Sequence, residues 1–187
     1  LRHANRRLEE EKTSLARQSL EDPLTGLANR RFLDSELVRL CVEANQHREP
    51  LAIAMIDVDY FKNYNDRYGH PAGDLALRRI AEAIHSVARR SDIAARYGGE
   101  EFVVAFPGTE DPEPMLSRLA LAIRALDMEH AGSPFGRVTI SCGCAVFTPD
   151  GGLTCEGLLR ACDVALYEAK SHGRNQHVIH TVQPEPG

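Results

Sequence analysis

Four acidic side chains stand at two places in the chain where a turn would expose them. Asp57 and Asp59 end the apolar run LAIAMIDVD, and Glu100 and Glu101 follow a Gly-Gly pair in RYGGEEF. Residues two apart on a strand lie on the same face. Three or four carboxylates around one point repel each other strongly unless a divalent cation neutralises them. Such hard oxygen ligands suit Mg²⁺, which proteins usually hold through one or two carboxylates plus substrate phosphates.

Each acidic motif, taken alone, has a simpler interpretation. Gly-Gly followed by charged residues is typical of an exposed β-hairpin loop. Aspartates at a strand end often do no more than cap a turn. The metal-site interpretation therefore requires that the two motifs meet in space, and the order of the predicted elements decides whether they do.

Cations and free backbone N–H groups, which a phosphate needs, lie on either side of the acids. YFKN, directly after Asp59, opens a helix whose N-terminal N–H groups can bind phosphate oxygens, and Lys62 lies among them. Lys170 and Arg174 occur in AKSHGRN, although cations at a helix C-terminus also complement the helix dipole. Asp74, in GHPAGD, can equally begin the helix that follows it. Together these residues indicate a Mg²⁺-dependent nucleotide enzyme without identifying the base.

The elements that must position these residues follow from the hydrophobic pattern. The predicted strands cover residues 51–59, 92–97, 101–106, 137–147 and 175–181, the last at a sheet edge. The predicted helices cover 32–45, a segment after Tyr60 that is interrupted at GHPAGD, 115–128 and 155–170. The core order β-α-β-β-α-β predicts an α/β (α+β) fold of the ferredoxin-like type, with a central, mostly antiparallel sheet wrapped by helices. This topology places the end of the first core strand beside the hairpin.

One domain with short additions at both ends is expected from a chain of 187 residues. The domain is predicted over 21–180, and a loose tail over 181–187. Residues 1–20 carry Leu1, Leu8 and Leu15 seven positions apart. This spacing predicts a coiled-coil-like signalling helix that pairs with a copy of itself, with a plain solvated helix as the alternative. Because the chain starts at Leu1 and not at Met, the sequence favours a fragment of a longer protein.

Composition argues against several classes of protein. The net charge of −5 is unlike that of a general nucleic-acid binder, and no apolar run approaches the roughly 18 residues of a membrane span. No segment resembles a signal peptide, and no direct membrane contact is expected. The five cysteines form no CxxC pair, which favours reduced, mostly buried thiols and a cytoplasmic location.

Several motifs together resemble those of the GGDEF family of diguanylate cyclases. They are DPLTGLANRR, IDVDYFKNYND, GHPAGD, GGEEF and ALYEAKSHGRN, and they follow the family's order and spacing from Asp22 to Asn175. The resemblance implies the palm-type fold of nucleotide cyclases and the condensation of two GTP molecules into cyclic di-GMP and two pyrophosphates. It also implies a homodimer in which two domains face each other, and an upstream sensor domain missing from this fragment.

The resemblance also implies a metal site that includes two of the four acidic residues. Asp57, the carbonyl of Val58 and Glu100 would hold two Mg²⁺ ions, with Mn²⁺ as the alternative ion. Asp57, Glu100 and Lys62 would be the catalytic residues, whereas Asp59 and Glu101 would support the metal site.

The resemblance also implies which residues bind GTP. They would be Phe61, Lys62, Asn65, Asp74, Gly98, Gly99, Lys170 and Arg174. Asn65 and Asp74 would read the guanine, because a carboxylate accepts hydrogen bonds from N1–H and the exocyclic amine, a pattern that adenine does not offer. An aspartate at position 74 favours strict use of GTP.

A second site is implied by RRSD, in which Arg89 and Asp92 match the family's RxxD inhibitory motif. These two residues would bind the product and inhibit the enzyme, although RxxD in isolation is more simply a surface ion pair at helical spacing. A catalytically inactive GGDEF domain that acts as a cyclic di-GMP receptor is the alternative function. A purely structural dimerisation module is a further rival, but it leaves the converging acids unexplained.

Overall fold

The computed structural model describes residues 20–148 and 155–182. The helix predicted over 1–20 lies outside this range except for its last residue, and the predicted tail lies outside it beyond Val182. Both therefore stay predictions. Within the described ranges, no helix combines the length and hydropathy that a bilayer crossing requires.

Six strands in the described residues form one sheet. They are β1 (Ala28–Asn29), β2 (Leu51–Val58), β3 (Ile93–Gly98), β4 (Glu101–Pro107), β5 (Ile140–Phe147) and β6 (His177–Val182). Their order across the sheet is β1-β3-β4-β2-β5-β6. β2 is antiparallel to β4 and β5, and β3 is antiparallel to β4, whereas β1 and β6 pair in parallel at the two edges. The inner strands β3-β4-β2-β5 form the ferredoxin-like core, which confirms the predicted fold class.

Helices cover both faces of this sheet. Those in the described residues are α1 (Arg30–His47), α2 (Phe61–Tyr68), α3 (His70–Val87), α4 (Glu113–Ala125) and α5 (Cys155–Ser171). Buried side chains of α2, α3 and α4 belong to one core cluster, and buried side chains of α1 and α5, such as Leu33 and Leu158, belong to the other. The sheet therefore lies between two helical layers.

The central strand β2 is buried along its whole length. Ala54 and Ile56 belong to the core beside α3 and α4, whereas Ile53 and Met55 belong to the core beside α1 and α5. Because successive side chains alternate between faces, a strand covered on both sides is apolar at every position. This explains the uninterrupted apolar run that identified the strand.

The break after α2 is shorter than predicted. Only Gly69, with a φ of 84°, separates α2 from α3. Pro71 then lies in the first turn of α3, where its missing N–H has no helical partner to lose. Asp74 is consequently inside α3, so the alternative that it begins a helix is wrong.

A disulfide joins Cys41 of α1 to Cys155 of α5. The prediction that the cysteines are reduced thiols is wrong for this pair, which lies 114 positions apart in sequence and meets only because both helices pack on the same face. Cys142, Cys144 and Cys162 are free and buried, as predicted. Burial raises the pKa of the Cys162 thiol to about 12, which keeps it protonated at neutral pH.

α5 packs closely against β5 at Gly143. A Cβ atom at this position would collide with the backbone nitrogen of Leu166 and the carbonyl oxygen of Cys162. These are backbone atoms of a long helix, so they cannot move aside as a flexible side chain would. Gly143 therefore sets the distance between the sheet and the helix that carries Lys170.

Gly143→Ala is expected to lower the free energy of unfolding by about 3 kcal/mol, because it forces α5 away from the sheet. Urea denaturation measures the change. Gly98→Ala is the matched control: a Cβ there meets nothing within 4 Å, and the variant should stay within about 1 kcal/mol of the parent. A parent-like midpoint for Gly143→Ala would contradict the close packing.

Candidate functional site

The end of β2 lies beside the turn between β3 and β4. Asp57 is opposite Glu101 in the β2–β4 register. The backbone N–H of Val58 donates a hydrogen bond to the carbonyl of Glu100 at 3.3 Å. The strand order thus brings Asp57, Glu100 and Glu101 to one corner of the sheet, which we call the acidic corner.

The turn that carries Glu100 is held from two sides. Gly99 has a φ of 49°, a conformation that favours glycine. The guanidinium of Arg96 donates hydrogen bonds to the carbonyl of Gly99 at 2.9 and 3.0 Å and lies 3.3 Å from the carboxylate of Asp22. Arg96 and Asp22 were given no role from the sequence. Their positions inside the motifs RYGGEEF and DPLT were the signal that could have pointed to such a role.

Asp57 carries its carboxylate in a mostly buried position, with 9% of the residue exposed. Its Oδ2 lies 2.8 Å from the ammonium of Lys170, near the end of α5. Burial raises the pKa of Asp57; Lys170 opposes this shift, and the charges of Glu100 and Asp59 add to it. The pKa of Glu101 is raised as well, first by burial and then by the charge of Asp57. The acidic corner therefore holds more negative charge than Lys170 neutralises.

Asp59 has a different environment, although it lies within electrostatic reach of Asp57. Its Oδ2 accepts hydrogen bonds from Thr139 Oγ1 at 2.7 Å and from the backbone N–H of Asn175 at 3.1 Å. Its Oδ1 accepts one from Ser141 Oγ at 2.6 Å. These bonds tie the end of β2 to β5 and to the loop after α5. Asp59 thereby fixes neighbouring segments, and both of its oxygens are engaged.

The first turn of α2 follows directly after Asp59. Tyr60 is the N-cap residue, with a φ of 56° and no side-chain hydrogen bond to the helix. Lys62 is exposed in this turn. The guanidinium of Arg174 lies 4.8 Å from the centroid of the Tyr60 ring and donates a hydrogen bond to the carbonyl of Lys170 at 3.4 Å. A helix N-terminus and three cations therefore lie next to the acidic corner, an arrangement that can bind phosphates.

Asn65 of α2 lies against Gly73 of α3. A Cβ at position 73 would collide with Oδ1 of Asn65 and lie 3.2 Å from the ring of Phe61. Oδ1 of Asn65 is buried and has no hydrogen-bond partner. Asp74, the residue after Gly73, is exposed. Two acceptors thus lie near the α2–α3 junction, and Gly73, which was given no role from the sequence, leaves the space for one of them.

The residues of the acidic corner fit a divalent cation that also binds a substrate. In the part of the chain that the structure describes, no three His, Cys, Asp or Glu side chains are grouped to hold a metal ion. The corner instead offers a small set of oxygen ligands, the carboxylates of Asp57 and Glu100 with the carbonyl of Val58. Mg²⁺ is commonly held by one or two carboxylates, with substrate phosphates completing its coordination. The raised pKa of Asp57 indicates that a further cation would stabilise this corner.

Arg89 and Asp92 lie together on another part of the surface. They line a cleft of about 610 Å³ that is formed by the end of α3, the start of β3 and residues around β1. The carboxylate of Asp92 accepts a hydrogen bond from the backbone N–H of Arg89 at 2.7 Å, which fixes the turn between α3 and β3. The side chain of Arg89 is exposed. Among the described residues, those that line this cleft are separate from the predicted active site.

In metal-free buffer at pH 7, Asp57→Asn is expected to be at least as stable as the parent. The raised pKa means that folding disfavours the ionised Asp57, and asparagine removes that penalty. As the pH falls towards about 4, near the ordinary pKa of aspartate, the folded parent binds the proton more readily than the unfolded chain, so the advantage of the variant should shrink. Urea denaturation at several pH values measures this.

The exposed Asp66→Asn serves as the control and should not alter the pH dependence. Lower stability of Asp57→Asn than of the parent throughout pH 4–7 would contradict the raised pKa.

Comparison with known proteins identifies relatives over most of the chain. Residues 19–176 match the family model described as "Diguanylate cyclase, GGDEF domain". The response regulator PleD of Caulobacter vibrioides is 41% identical over 165 residues, which cover 84% of this chain and 35% of PleD. The diguanylate cyclase TpbB of Pseudomonas aeruginosa is 39% identical over 171 residues, which cover 90% of this chain and 39% of TpbB. The chain spans a little over a third of the length of these curated relatives.

Solved structures give the same result. The coiled coil and GGDEF domain of DgcB from Caulobacter crescentus, in complex with c-di-GMP, superposes with a TM-score of 0.84 at 32% identity, covering 96% of this chain and 94% of that one. The GGDEF domain of TpbB from Pseudomonas aeruginosa superposes with a TM-score of 0.72 at 38% identity, covering 85% of this chain and 93% of that one. With this agreement of motifs, fold and relatives, the chain belongs to the GGDEF-domain diguanylate cyclase family.

Proposed function

We propose that this chain is the catalytic domain of a diguanylate cyclase, which condenses two GTP molecules into cyclic di-GMP and two pyrophosphates. The observation that carries the proposal is the acidic corner, where Asp57 and Glu100 meet next to the first turn of α2. Lys62, Lys170 and Arg174 supply the positive charge that a triphosphate needs. TpbB and the 36% identical DosC of Escherichia coli are named diguanylate cyclases, which supports the same activity.

The guanine base is assigned to Asn65 and Asp74. Guanine presents N1–H and an exocyclic amine side by side as donors, whereas adenine places an acceptor next to its amine. The exposed carboxylate of Asp74 and the unpartnered Oδ1 of Asn65 are both acceptors. Two acceptors near one helix junction therefore favour guanine over adenine.

The triphosphate is assigned to the first turn of α2 and the cations around it. The backbone at Phe61 and Lys62, at the helix N-terminus, can donate N–H groups to phosphate oxygens. Gly98 and Gly99 have no Cβ, so they leave the hairpin side of the site open. Lys170 neutralises Asp57 in the absence of substrate, and its ammonium becomes available to phosphate oxygens once another cation takes over that role.

The reaction needs a divalent metal ion, which Asp57, Glu100 and the Val58 carbonyl would hold. The ion would supply Lewis-acid chemistry, which favours ionisation of a ribose 3′-hydroxyl and stabilises the leaving pyrophosphate. Lys62 and Arg174 would hold the pyrophosphate as charge develops on it. Glu101, whose carboxyl group lies close to that of Asp57, would keep the electrostatic field of the corner negative.

Two domains must face each other to close both phosphodiester bonds, because each domain offers one such set of residues. We assign the pairing of two chains to residues 1–20, which would transmit a signal from an upstream sensor. The solved DgcB structure includes a coiled coil next to its GGDEF domain, which supports this assignment.

A cyclic di-GMP receptor without catalytic activity is the second candidate function. It is supported by the cleft that contains Arg89 and Asp92, and by the c-di-GMP bound in the DgcB structure. Inactive members of the family usually lose active-site residues, however, and this chain retains the full set. Catalysis is therefore the function that the site supports best.

Incubation with GTP and Mg²⁺, followed by assay of pyrophosphate and cyclic dinucleotide, tests the proposal. Glu100→Gln keeps the shape of the side chain but removes its charge, and it is expected to lower kcat by on the order of 10²–10³-fold. Glu110→Gln, an exposed glutamate outside the site, is the control. Unchanged turnover in Glu100→Gln would contradict the metal assignment. Binding of cyclic di-GMP by a parent that forms no product would favour the receptor.

Arg89→Ala is expected to raise the inhibition constant of cyclic di-GMP by on the order of 10- to 100-fold, because it removes a bidentate contact to guanine. Product inhibition of initial rates measures this constant. Arg90→Ala removes the same charge one position away in the same cleft and should have a much smaller effect. Equal inhibition constants in the parent and in Arg89→Ala would exclude the RxxD site.

A further inference from the structure

We propose that His130 is a positioning residue that fixes Tyr60, and through Tyr60 the two phosphate-binding elements, α2 and Arg174. The inference rests on the proposed function, since it names a residue that prepares the same site for the triphosphate. His130 lies on the segment from Met128 to Val138, which precedes β5 and which we call the 128–138 loop.

The 128–138 loop is closed by its own backbone hydrogen bonds. The N–H of Val138 donates to the carbonyl of Met128 at 2.9 Å, and the N–H of His130 donates to the carbonyl of Gly136 at 3.0 Å. Glu129 and Arg137 form an antiparallel bridge between these bonds. The loop is therefore an ordered unit, and a side chain it carries can hold a neighbouring element in place.

His130 is fully buried, with 0% of the residue exposed. Its Nε2 lies 3.1 Å from the carbonyl oxygen of Tyr60. A carbonyl oxygen can only accept, so Nε2 carries the hydrogen and donates it. Nδ1 is buried without a hydrogen-bond partner, and burial lowers the pKa of the ring, both of which fit a neutral imidazole. His130 was assigned no role from the sequence, because it lies 70 positions from its partner.

Tyr60 needs this support because of its backbone conformation. It is a large residue with a φ of 56°, a region that such side chains rarely occupy unless the surroundings hold them there. Its carbonyl also accepts a hydrogen bond from the N–H of Tyr64 at 3.1 Å, which begins α2. The bond from His130 therefore stabilises the same carbonyl that starts the phosphate-binding helix.

The ring of Tyr60 is held between the same loop and Arg174. Phe135 of the 128–138 loop lies 6.3 Å from the Tyr60 ring, measured between centroids. The guanidinium of Arg174 lies 4.8 Å from the centroid of the Tyr60 ring. A displacement of Tyr60 would therefore move both the start of α2, with Lys62, and the guanidinium of Arg174.

Two further contacts join the 128–138 loop to α2. The side-chain amide of Asn63 donates to the carbonyl of Gly132 at 3.4 Å, and the N–H of Ala131 donates to the hydroxyl of Tyr68 at 3.0 Å. α2 has only eight residues and buries only Phe61 among them. Because short helices depend on tertiary packing, the loop is a major source of the order of α2.

The test compares His130→Phe, which keeps a ring but has no donor, with His130→Gln, which retains an N–H donor near the position of Nε2. Affinity is measured for an α,β-methylene analogue of GTP, which cannot release pyrophosphate, and for guanosine monophosphate. His130→Phe should weaken binding of the triphosphate analogue by about tenfold. It should weaken binding of the monophosphate much less, and His130→Gln should restore most of the loss. Arg137→Gln, which cuts the exposed ion pair between Arg137 of the loop and Asp127, is the matched control and should preserve the ratio of the two affinities.

Hydrogen exchange on the nucleotide-free protein provides a second readout. The amides of residues 61–64 should exchange faster in His130→Phe than in the parent. If His130→Phe does not fold, Asn63→Ala, which removes only an exposed side chain, should cause a smaller change in the same direction in both measurements.

Parent-like affinity for the triphosphate analogue in a folded His130→Phe would overturn the inference. Equal losses for the triphosphate and the monophosphate would overturn it as well, because they indicate a general structural defect. A parent that binds the analogue but forms no cyclic product would refute the proposed function alone, and the ratio of affinities would still decide the role of His130.

Discussion

A buried carboxylate that the protein's own cations neutralise only in part is the constraint on which the rest of the structure depends. Asp57 lies at the end of the central strand, with Lys170 as its ion-pair partner and the charge of Glu100 nearby. Burying a charge is costly unless it is paired and hydrogen-bonded. In this chain the carboxylate of Asp57 stays buried and only partly neutralised, and two helices and a hairpin pack around it. Such a cost is typical of sites where stability is lowered for function.

The elements around Asp57 are held by polar contacts that cross the sequence. Asp59 joins β2 to β5 and to the loop that carries Arg174. Arg96 and Asp22 hold the hairpin turn that carries Glu100. The contacts of Asp59 and the Arg96–Asp22 contact join residues at least 74 positions apart. The bonds from Arg96 to the carbonyl of Gly99 fix the glycine-containing turn itself. The acidic corner is therefore rigid although every side of it is a strand end, a turn or a helix end.

The side of the site that we propose to bind phosphates also depends on contacts between distant segments. α2 is short and contributes little to the core, so its orientation depends on the residues that touch Tyr60. Gly73 permits α3 to approach Asn65, and Gly143 permits α5 to approach β5. In both places the absence of a side chain brings a residue of the candidate site to its position. The geometry of this site thus depends on close backbone packing as much as on the polar residues themselves.

Local patterns in the sequence determined most of the elements, the fold class and the family. The apolar run of β2, the Gly-Gly hairpin and the helical periodicities are properties of neighbouring residues, so they can be read without knowledge of the fold. The motifs GGEEF and IDVDYFKNYND identified the residues of the acidic corner in the same way, because their spacing is local.

Only the tertiary structure decided how these residues are used. β1 has two residues and no periodicity to detect, and the disulfide between Cys41 and Cys155 exists because two helices share a face. Hydroxyl groups near β5 donate hydrogen bonds to both carboxylate oxygens of Asp59, and His130 donates one to the carbonyl of Tyr60. These bonds also join segments that are distant in sequence. Contacts of this kind depend on how close two backbones pack, and a pattern within one segment of the chain carries no information about that distance.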